Sequence, residues 1–91
     1  MDKEVYVEVI GVVPPCKRCY TTWKNVETAA STLKSEGVMV TMKKLDIMSK
    51  DVISRYGAIM SPALALNGTV KIMGRVPDVK EVETLLRETA K

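Results

Sequence analysis

The sequence predicts an α/β domain in which a four-stranded mixed sheet is flanked by three helices, in the order βαβαββα. Near the start of the chain, two segments rich in β-branched residues enclose a segment with helical periodicity, which is typical of a βαβ unit with parallel strands. Further on, two short apolar runs flank Asn67-Gly68, the strongest short-range signal for an antiparallel hairpin. The length of 91 residues fits a single domain over residues 1–91.

The first three elements form the βαβ unit. Val5 to Val13 is predicted as the first strand, and Pro14-Pro15 ends it because proline cannot continue the interior of a strand. From Cys16 to Ser35, apolar residues recur at spacings of three and four, which indicates a helix that ends before Gly37. Val38 to Leu45 is rich in Val, Met and Thr and is predicted as the second strand. The helix is expected to bury a stripe formed by Cys19, Trp23, Val26, Ala30 and Leu33.

The second half of the chain adds a short helix, a hairpin and a final helix. Ser49 to Tyr56 has helical spacing, whereas Pro62 to Leu66 and Thr69 to Met73 are predicted as the two strands of the hairpin. Asp78 is expected to cap the last helix, with Glu81 three residues later as an acidic variant of the capping box. The predicted buried stripe of this helix comprises Val79, Val82, Leu85, Leu86 and Ala90.

Composition and charge exclude several classes of protein. Hydrophobic residues make up 46% of the chain and charged residues 27%, as in ordinary globular domains. The net charge is only +3 and acidic residues interrupt the basic ones, so we expect no nucleic-acid partner. The longest apolar run, Val9 to Val13, is far shorter than the roughly 20 residues of a membrane helix, so we expect no membrane partner. Met1-Asp2-Lys3-Glu4 is unlike the start of a secretory signal, and we therefore expect a cytoplasmic protein.

Cys16 and Cys19 have the spacing of a redox-active pair. Three positions apart in a helix, their Cα atoms would lie roughly 5–6 Å from each other, within the range that a disulfide accepts. At a helix start, unpaired backbone N–H groups and the helix dipole favour the thiolate of Cys16, and Lys17 and Arg18 add positive charge. A stabilised thiolate is also a good leaving group. We therefore interpret Cys16 as the nucleophile and Cys19 as the resolving thiol.

Two other interpretations of the cysteine pair stay open. The chain has no His and no further Cys, so the pair supplies only two of the four ligands of a structural zinc site. A metal site would therefore need a dimer or additional carboxylates. The cysteines also fit a role as small buried residues, although their place between a strand, two prolines and a helix start disfavours it. We expect neither a bound metal nor a cofactor.

The order of strand, PPCKRC, helix, strand, helix, Ser61-Pro62, hairpin, Gly74 and helix resembles the thioredoxin and glutaredoxin superfamily. The resemblance covers essentially the whole chain and is closest to small archaeal-type, glutaredoxin-sized members called redox-active disulfide proteins. It implies a thioredoxin-like fold and a thiol–disulfide oxidoreductase. It also implies that Pro62 follows a cis peptide bond and faces the cysteine pair, and that the backbone of Ser61 pairs with an extended substrate segment.

The resemblance further implies an apolar collar around Cys16, which would suit a protein disulfide better than a small charged thiol. The collar comprises Pro14, Pro15, Tyr20, Ile59, Met60, Val76 and Pro77. The predicted substrate-binding residues are Pro15, Lys17, Arg18, Met60, Ser61 and Pro62.

The chain departs from both branches of the superfamily. Lys17 and Arg18 replace the Gly and Pro of the thioredoxin WCGPC signature, and Ile10 stands where thioredoxins carry a buried Asp. Glu8 is the nearest acid to that position in the sequence. Glutaredoxins bind glutathione through a TVP segment and a turn with two glycines, whereas this chain has Met60-Ser61-Pro62 and a single Gly74. These differences argue against glutathione as a substrate.

The sequence thus predicts a monomeric electron carrier that reduces disulfides in protein partners and is itself reduced by a separate reductase. One rival hypothesis is a redox sensor or binding module whose CxxC pair changes state without turnover. The other is a dimeric metal carrier in which two CxxC pairs share one ion. Catalytic turnover distinguishes the enzyme from both.

Overall fold

The computed structural model describes residues 3–12 and 17–90 of the chain. Within these residues the elements follow one another in the predicted order, βαβαββα. They are β1 (Lys3–Gly11), α1 (Lys17–Lys34), β2 (Val38–Asp46), α2 (Lys50–Tyr56), β3 (Ala63–Leu66), β4 (Thr69–Met73) and α3 (Val79–Ala90).

The four strands form one mixed sheet in the order β2-β1-β3-β4. β1 runs parallel to β2, with Gly11 opposite Asp46, as the βαβ pattern predicts. β3 is antiparallel to both β1 and β4. Because Ile10 pairs with Ala63, the last residues of β1 and the first residues of β3 lie at the same end of the sheet.

Helices cover both faces of this sheet. Side chains alternate along β1, so its odd-numbered residues face α1 and α3 whereas Glu8 and Ile10 face α2. Ile10 packs with Val52 of α2 and with Ala63 and Ala65 of β3. The larger core lies on the other face and includes Val5, Val7, Val9, Val26, Ala29, Leu33, Val82 and Leu86. The predicted fold class, a mixed sheet flanked by three helices, is confirmed.

Local signals in the second half of the chain predicted the hairpin turn and the cap of α3 correctly. Asn67 and Gly68 have φ angles of 49° and 86°, which is the left-handed backbone that a two-residue hairpin turn requires. The carboxylate of Asp78 accepts a hydrogen bond of 2.8 Å from the backbone N–H of Glu81, so Asp78 caps α3 as expected.

Several predicted boundaries are wrong by one or two residues. β1 runs from Lys3 to Gly11 and so begins two residues before Val5, because Lys3 and Glu4 already pair with β2 even though they are not β-branched. The predicted end of this strand, Val13, lies outside the described residues. β3 begins at Ala63, after the proline, which has no N–H to donate. Ser49 is the cap of α2, where its hydroxyl accepts a hydrogen bond from the backbone N–H of Val52.

The buried stripe of α1 differs from the prediction at two positions. Thr22 and Ala29 are buried, whereas Trp23 and Ala30 are half-buried. The hydroxyl of Thr22 donates a hydrogen bond of 2.9 Å to the carbonyl oxygen of Arg18, which removes the penalty of burying a polar side chain. A search for apolar residues alone therefore passes over Thr22. No helix among the described residues is long and apolar enough to cross a membrane.

Candidate functional site

Cys19 lies in the first turn of α1 and faces the sheet. Cys19 is buried, with only 5% of its surface exposed. Gly11, the last residue of β1, leaves the space that the thiol occupies, since a Cβ built on Gly11 would come within 2.6 Å of the Cys19 Sγ. Cys19 is therefore enclosed between α1 and the end of β1.

A small crevice of about 40 Å³ opens beside Cys19. Its lining is formed by Val9, Gly11, Val12, Cys19, Trp23, Lys44 and Leu45. The ammonium group of Lys44 lies 4.8 Å from the centre of the Trp23 ring, a cation–π distance. A crevice of this volume admits water-sized molecules to the surroundings of Cys19 and excludes a peptide.

Arg18, which lies between the two cysteines in the sequence, is connected to the cis proline through the backbone of a single residue, Gly74. Its Nη2 atom donates a hydrogen bond of 3.0 Å to the carbonyl oxygen of Gly74. The backbone N–H of Gly74 donates to the carbonyl oxygen of Pro62, also at 3.0 Å. The Ser61–Pro62 peptide bond is cis, which confirms the expectation drawn from the family resemblance.

Gly74 lies in the segment that connects β4 to α3, and a second side chain of α1 also binds this segment. The Nδ2 atom of Asn25 donates a hydrogen bond of 2.8 Å to the carbonyl oxygen of Pro77. Residues 74–77 are thus held to α1 at both ends, by Arg18 and by Asn25.

The predicted substrate-binding residues differ in exposure. Lys17 and Arg18 are exposed, Ser61 is half-buried, and Pro62 is almost fully buried. Met60 is 65% exposed and packs beside Gly74, where a built Cβ would lie 3.4 Å from the Met60 Cβ. Cys16 and Pro15, together with Pro14 of the expected collar, lie outside the described residues.

The remaining members of the expected collar are only partly available at the surface. Tyr20 is 55% exposed, Ile59 and Val76 are half-buried, and Pro77 is buried. Met60 and Tyr20 therefore provide most of the accessible apolar surface among the described collar residues.

An ionic cluster centred on the buried Glu8 lies on the other face of the sheet; this Glu8 cluster comprises Glu8, Asp51, Arg55 and Tyr56. Glu8 is 3% exposed, and its carboxylate accepts hydrogen bonds from the Tyr56 hydroxyl and, at 2.7 Å, from Nη2 of Arg55. Arg55 also pairs with Asp51 at 3.1 Å. The pKa of Tyr56 is raised to about 12, mainly by burial and secondly by the hydrogen bond to Glu8. The hydrogen bond to Glu8 also raises the pKa of Arg55.

The position of Glu8 decides whether this acid can serve Cys19. Cys19 contacts Gly11 on the α1 face of β1, whereas Glu8 points to α2 on the opposite face. Glu8 is therefore not the proton acceptor of Cys19. Among the residues that the structure describes, no three His, Cys, Asp or Glu side chains come together as a set of metal ligands.

Sequence reasoning missed the roles of Gly11 and of the Glu8 cluster. The sequence did contain a signal for Glu8, because strand alternation places it on the same face as Ile10. A buried carboxylate on that face is costly unless another group forms an ion pair or hydrogen bonds with it. Its partners Arg55 and Tyr56 are 47 and 48 positions away, and only the fold brings them together. The contact between Gly11 and Cys19 had no comparable signal in the sequence.

Comparison with known protein families identifies the domain type. Residues 5–87 match the family model described as thioredoxin domain. No curated protein matches the sequence.

Solved structures show the same fold at low sequence identity. The oxidised thioredoxin from Plasmodium falciparum has a TM-score of 0.65 and 16% identity, over 98% of this chain and 84% of that chain. The CLIC homologue EXC-4 from C. elegans has a TM-score of 0.50 and 12% identity, over 98% of this chain and 31% of that chain. At these identities the similarity concerns the fold.

Proposed function

Because this chain belongs to the thioredoxin family, we propose that it is a thiol–disulfide oxidoreductase that reduces disulfides in protein partners through Cys16 and Cys19. Cys16 is the nucleophile and Cys19 the resolving thiol. The thioredoxin-like fold supports redox chemistry of this general type.

The observation that best supports these roles is the enclosure of Cys19. A thiol that is 5% exposed and packed against Gly11 is poorly placed to meet a bulky protein disulfide. It is well suited to attack a sulfur that lies three positions earlier in the same chain. The burial of Cys19 thus fits the role of the resolving thiol.

The reaction transfers two electrons from the dithiol to the substrate. The Cys16 thiolate attacks one substrate sulfur, the substrate S–S bond breaks, and a mixed disulfide forms as the first substrate thiolate leaves. Cys19 then loses its proton and attacks the Cys16 sulfur. The mixed disulfide breaks, the second substrate thiolate leaves, and the protein retains a Cys16–Cys19 disulfide.

The proton of Cys19 passes to the departing substrate thiolate or to water. Glu8 faces α2, so it does not take this proton. The crevice beside Cys19 is large enough for a water-sized molecule, which supports transfer to solvent.

We infer that the loop before β3 takes part in substrate recognition. Met60 is largely exposed and supplies apolar contact, and the half-buried Ser61 offers its backbone to an extended segment. The positive charges of Lys17 and Arg18 favour the Cys16 thiolate. Pro15 and Pro62 complete the set of substrate-binding residues. A separate reductase in a reducing compartment returns two electrons to the disulfide.

Turnover of a protein disulfide tests this proposal. The reduced protein is mixed with insulin and dithiothreitol as electron donor, alongside the variants Cys16→Ser and Cys19→Ser. We expect many turnovers for the wild type and none for Cys16→Ser. When pre-reduced Cys19→Ser is mixed with insulin without dithiothreitol, we expect a mixed disulfide through Cys16 to accumulate. Oxidation that stops after one equivalent would instead identify a redox sensor.

A further inference from the structure

The loop between α2 and β3 presents Met60 and Ser61, and β1 holds both of its ends. At the first end, Tyr56 is the last residue of α2 and donates its hydroxyl hydrogen bond to Glu8. At the second end, Ala63 is the first residue of β3 and pairs with Ile10. Glu8 and Ile10 are two residues apart on the same face of the same strand.

At the Tyr56 end, α2 is held to the sheet by apolar packing of Val52 and the Tyr56 ring and by hydrogen bonds to Glu8. Arg55 and Tyr56 both donate to the buried carboxylate of Glu8, and Val52 is the only residue of α2 that is buried. α2 has just seven residues, so its own backbone hydrogen bonds contribute little to fixing its position. The hydrogen bonds to Glu8 therefore add to the apolar contacts of Val52 and the Tyr56 ring, and they fix the end of α2 next to the loop.

Among the described residues, few other contacts fix the position of the 57–61 loop. Ile59 packs against the small core of the α2 face, and the carbonyl of Pro62 accepts from Gly74. Met60 is 65% exposed. The position of residues 57–61 is consequently set by the elements at its two ends.

We propose that Glu8, Arg55 and Tyr56 are positioning residues, which hold the 57–61 loop in the geometry that binds a protein disulfide substrate. This inference rests on the proposed function. The cluster neither touches the substrate nor exchanges protons with Cys19, because it lies on the opposite face of β1. Its effect is therefore confined to large substrates that contact the loop.

Tyr56→Phe tests the inference with the least disturbance, since it removes one hydroxyl and keeps the ring. A hydrogen bond to a charged group stabilises by about 1.5–3 kcal/mol, which corresponds to about tenfold or more in an equilibrium constant. We expect KM for insulin to rise about tenfold, with kcat and the rate for hydroxyethyl disulfide changing less than about twofold. Glu8→Gln is the second variant and should shift KM in the same direction.

Glu36→Gln is the matched control, because it breaks an exposed ion pair with Arg87 elsewhere on the molecule. It should leave KM for insulin and the rate for hydroxyethyl disulfide unchanged. Hydrogen exchange adds a readout that is independent of activity, and the amides of residues 57–61 should exchange faster in Tyr56→Phe while those of α1 do not.

The possible failures are distinguishable. If the wild type reduces neither disulfide, the proposed function is wrong. If the wild type is active but Tyr56→Phe and Glu8→Gln leave KM for insulin and the exchange of residues 57–61 unchanged, the positioning role is wrong. An equal loss with insulin and hydroxyethyl disulfide would also overturn it, because that result indicates general destabilisation.

Discussion

The thiol of Cys19 occupies the space that a side chain at Gly11 would fill. A Cβ on Gly11 would lie 2.6 Å from Sγ and 3.2 Å from the Cys19 Cβ. Interiors are packed too densely to absorb such a contact without movement. The first turn of α1 can therefore approach the end of β1 this closely only because residue 11 is glycine.

Replacing Gly11 by Ala should displace Cys19 and destabilise the reduced protein. Overpacking of this kind lowers the free energy of unfolding by about 1–3 kcal/mol. Urea denaturation measures the loss, and the second step of the reaction should slow, so that mixed disulfide accumulates during insulin reduction.

A double-mutant cycle identifies the contact responsible. In a Cys19→Ala background the Sγ atom is absent, so Gly11→Ala should be less destabilising than it is beside the thiol. An equal loss of unfolding free energy in the two backgrounds would show that the Cys19 Sγ atom does not limit the space beside Gly11.

Replacing Arg18 by Met should loosen the connection between β4 and α3. The change removes the hydrogen bond to the Gly74 carbonyl, and the exposed position limits the expected loss of unfolding free energy to about 1 kcal/mol or less. Hydrogen exchange of residues 74–77 should increase.

Lys17→Met is the matched control for Arg18→Met, because it removes the same charge from the neighbouring exposed position. If charge beside Cys16 were the only contribution of Arg18, the two variants would have equal effects. We expect both to slow attack by Cys16, and only Arg18→Met to change exchange at residues 74–77.

The hydroxyl of Tyr56 should remain protonated to unusually high pH. Its pKa is raised to about 12, mainly by burial and secondly by the hydrogen bond to Glu8. An ultraviolet absorbance titration should therefore show a late component in the wild type that is absent from Tyr56→Phe.

The same pKa shift predicts how stability changes in alkali. A pKa that is higher in the folded state stabilises the protein fully below the unfolded value of about 10, and this contribution disappears as pH rises towards about 12. The difference in unfolding free energy between wild type and Tyr56→Phe should thus be constant below about pH 10 and shrink above it. A difference that grows with pH would contradict the assignment.

The pair formed by Glu36 and Arg87 should contribute to stability only when Glu36 is charged. Arg87 donates two hydrogen bonds, of 3.0 and 2.8 Å, and lowers the pKa of the Glu36 carboxyl. A lowered pKa means that the contribution is present above the ordinary value and is lost as pH falls through the folded value. Wild type and Glu36→Gln should converge in acid or in high salt, as measured by urea denaturation.

Much of the fold followed from local signals in the sequence. The turn at Asn67-Gly68 and the cap at Asp78 are each encoded by a few adjacent residues, and both were predicted correctly. The start of β1 was not, because Lys3 joins the sheet through pairing with Val38, a partner that composition does not reveal.

The candidate site was less predictable because its contacts join distant segments. Arg18 meets Gly74 across 56 positions of the chain, and Glu8 meets Tyr56 across 48. The cis bond before Pro62 was expected only through family resemblance, since residue type alone gives a low frequency of cis proline.

The most direct test of the proposed chemistry is the pH dependence of alkylation of Cys16 by iodoacetamide in the reduced Cys19→Ser variant. We expect rapid modification of Cys16, with the rate reaching half its maximum at a pH clearly below the ordinary thiol pKa of about 8.5. Slow modification, or a midpoint at or above that value, would contradict the assignment of Cys16 as the nucleophile.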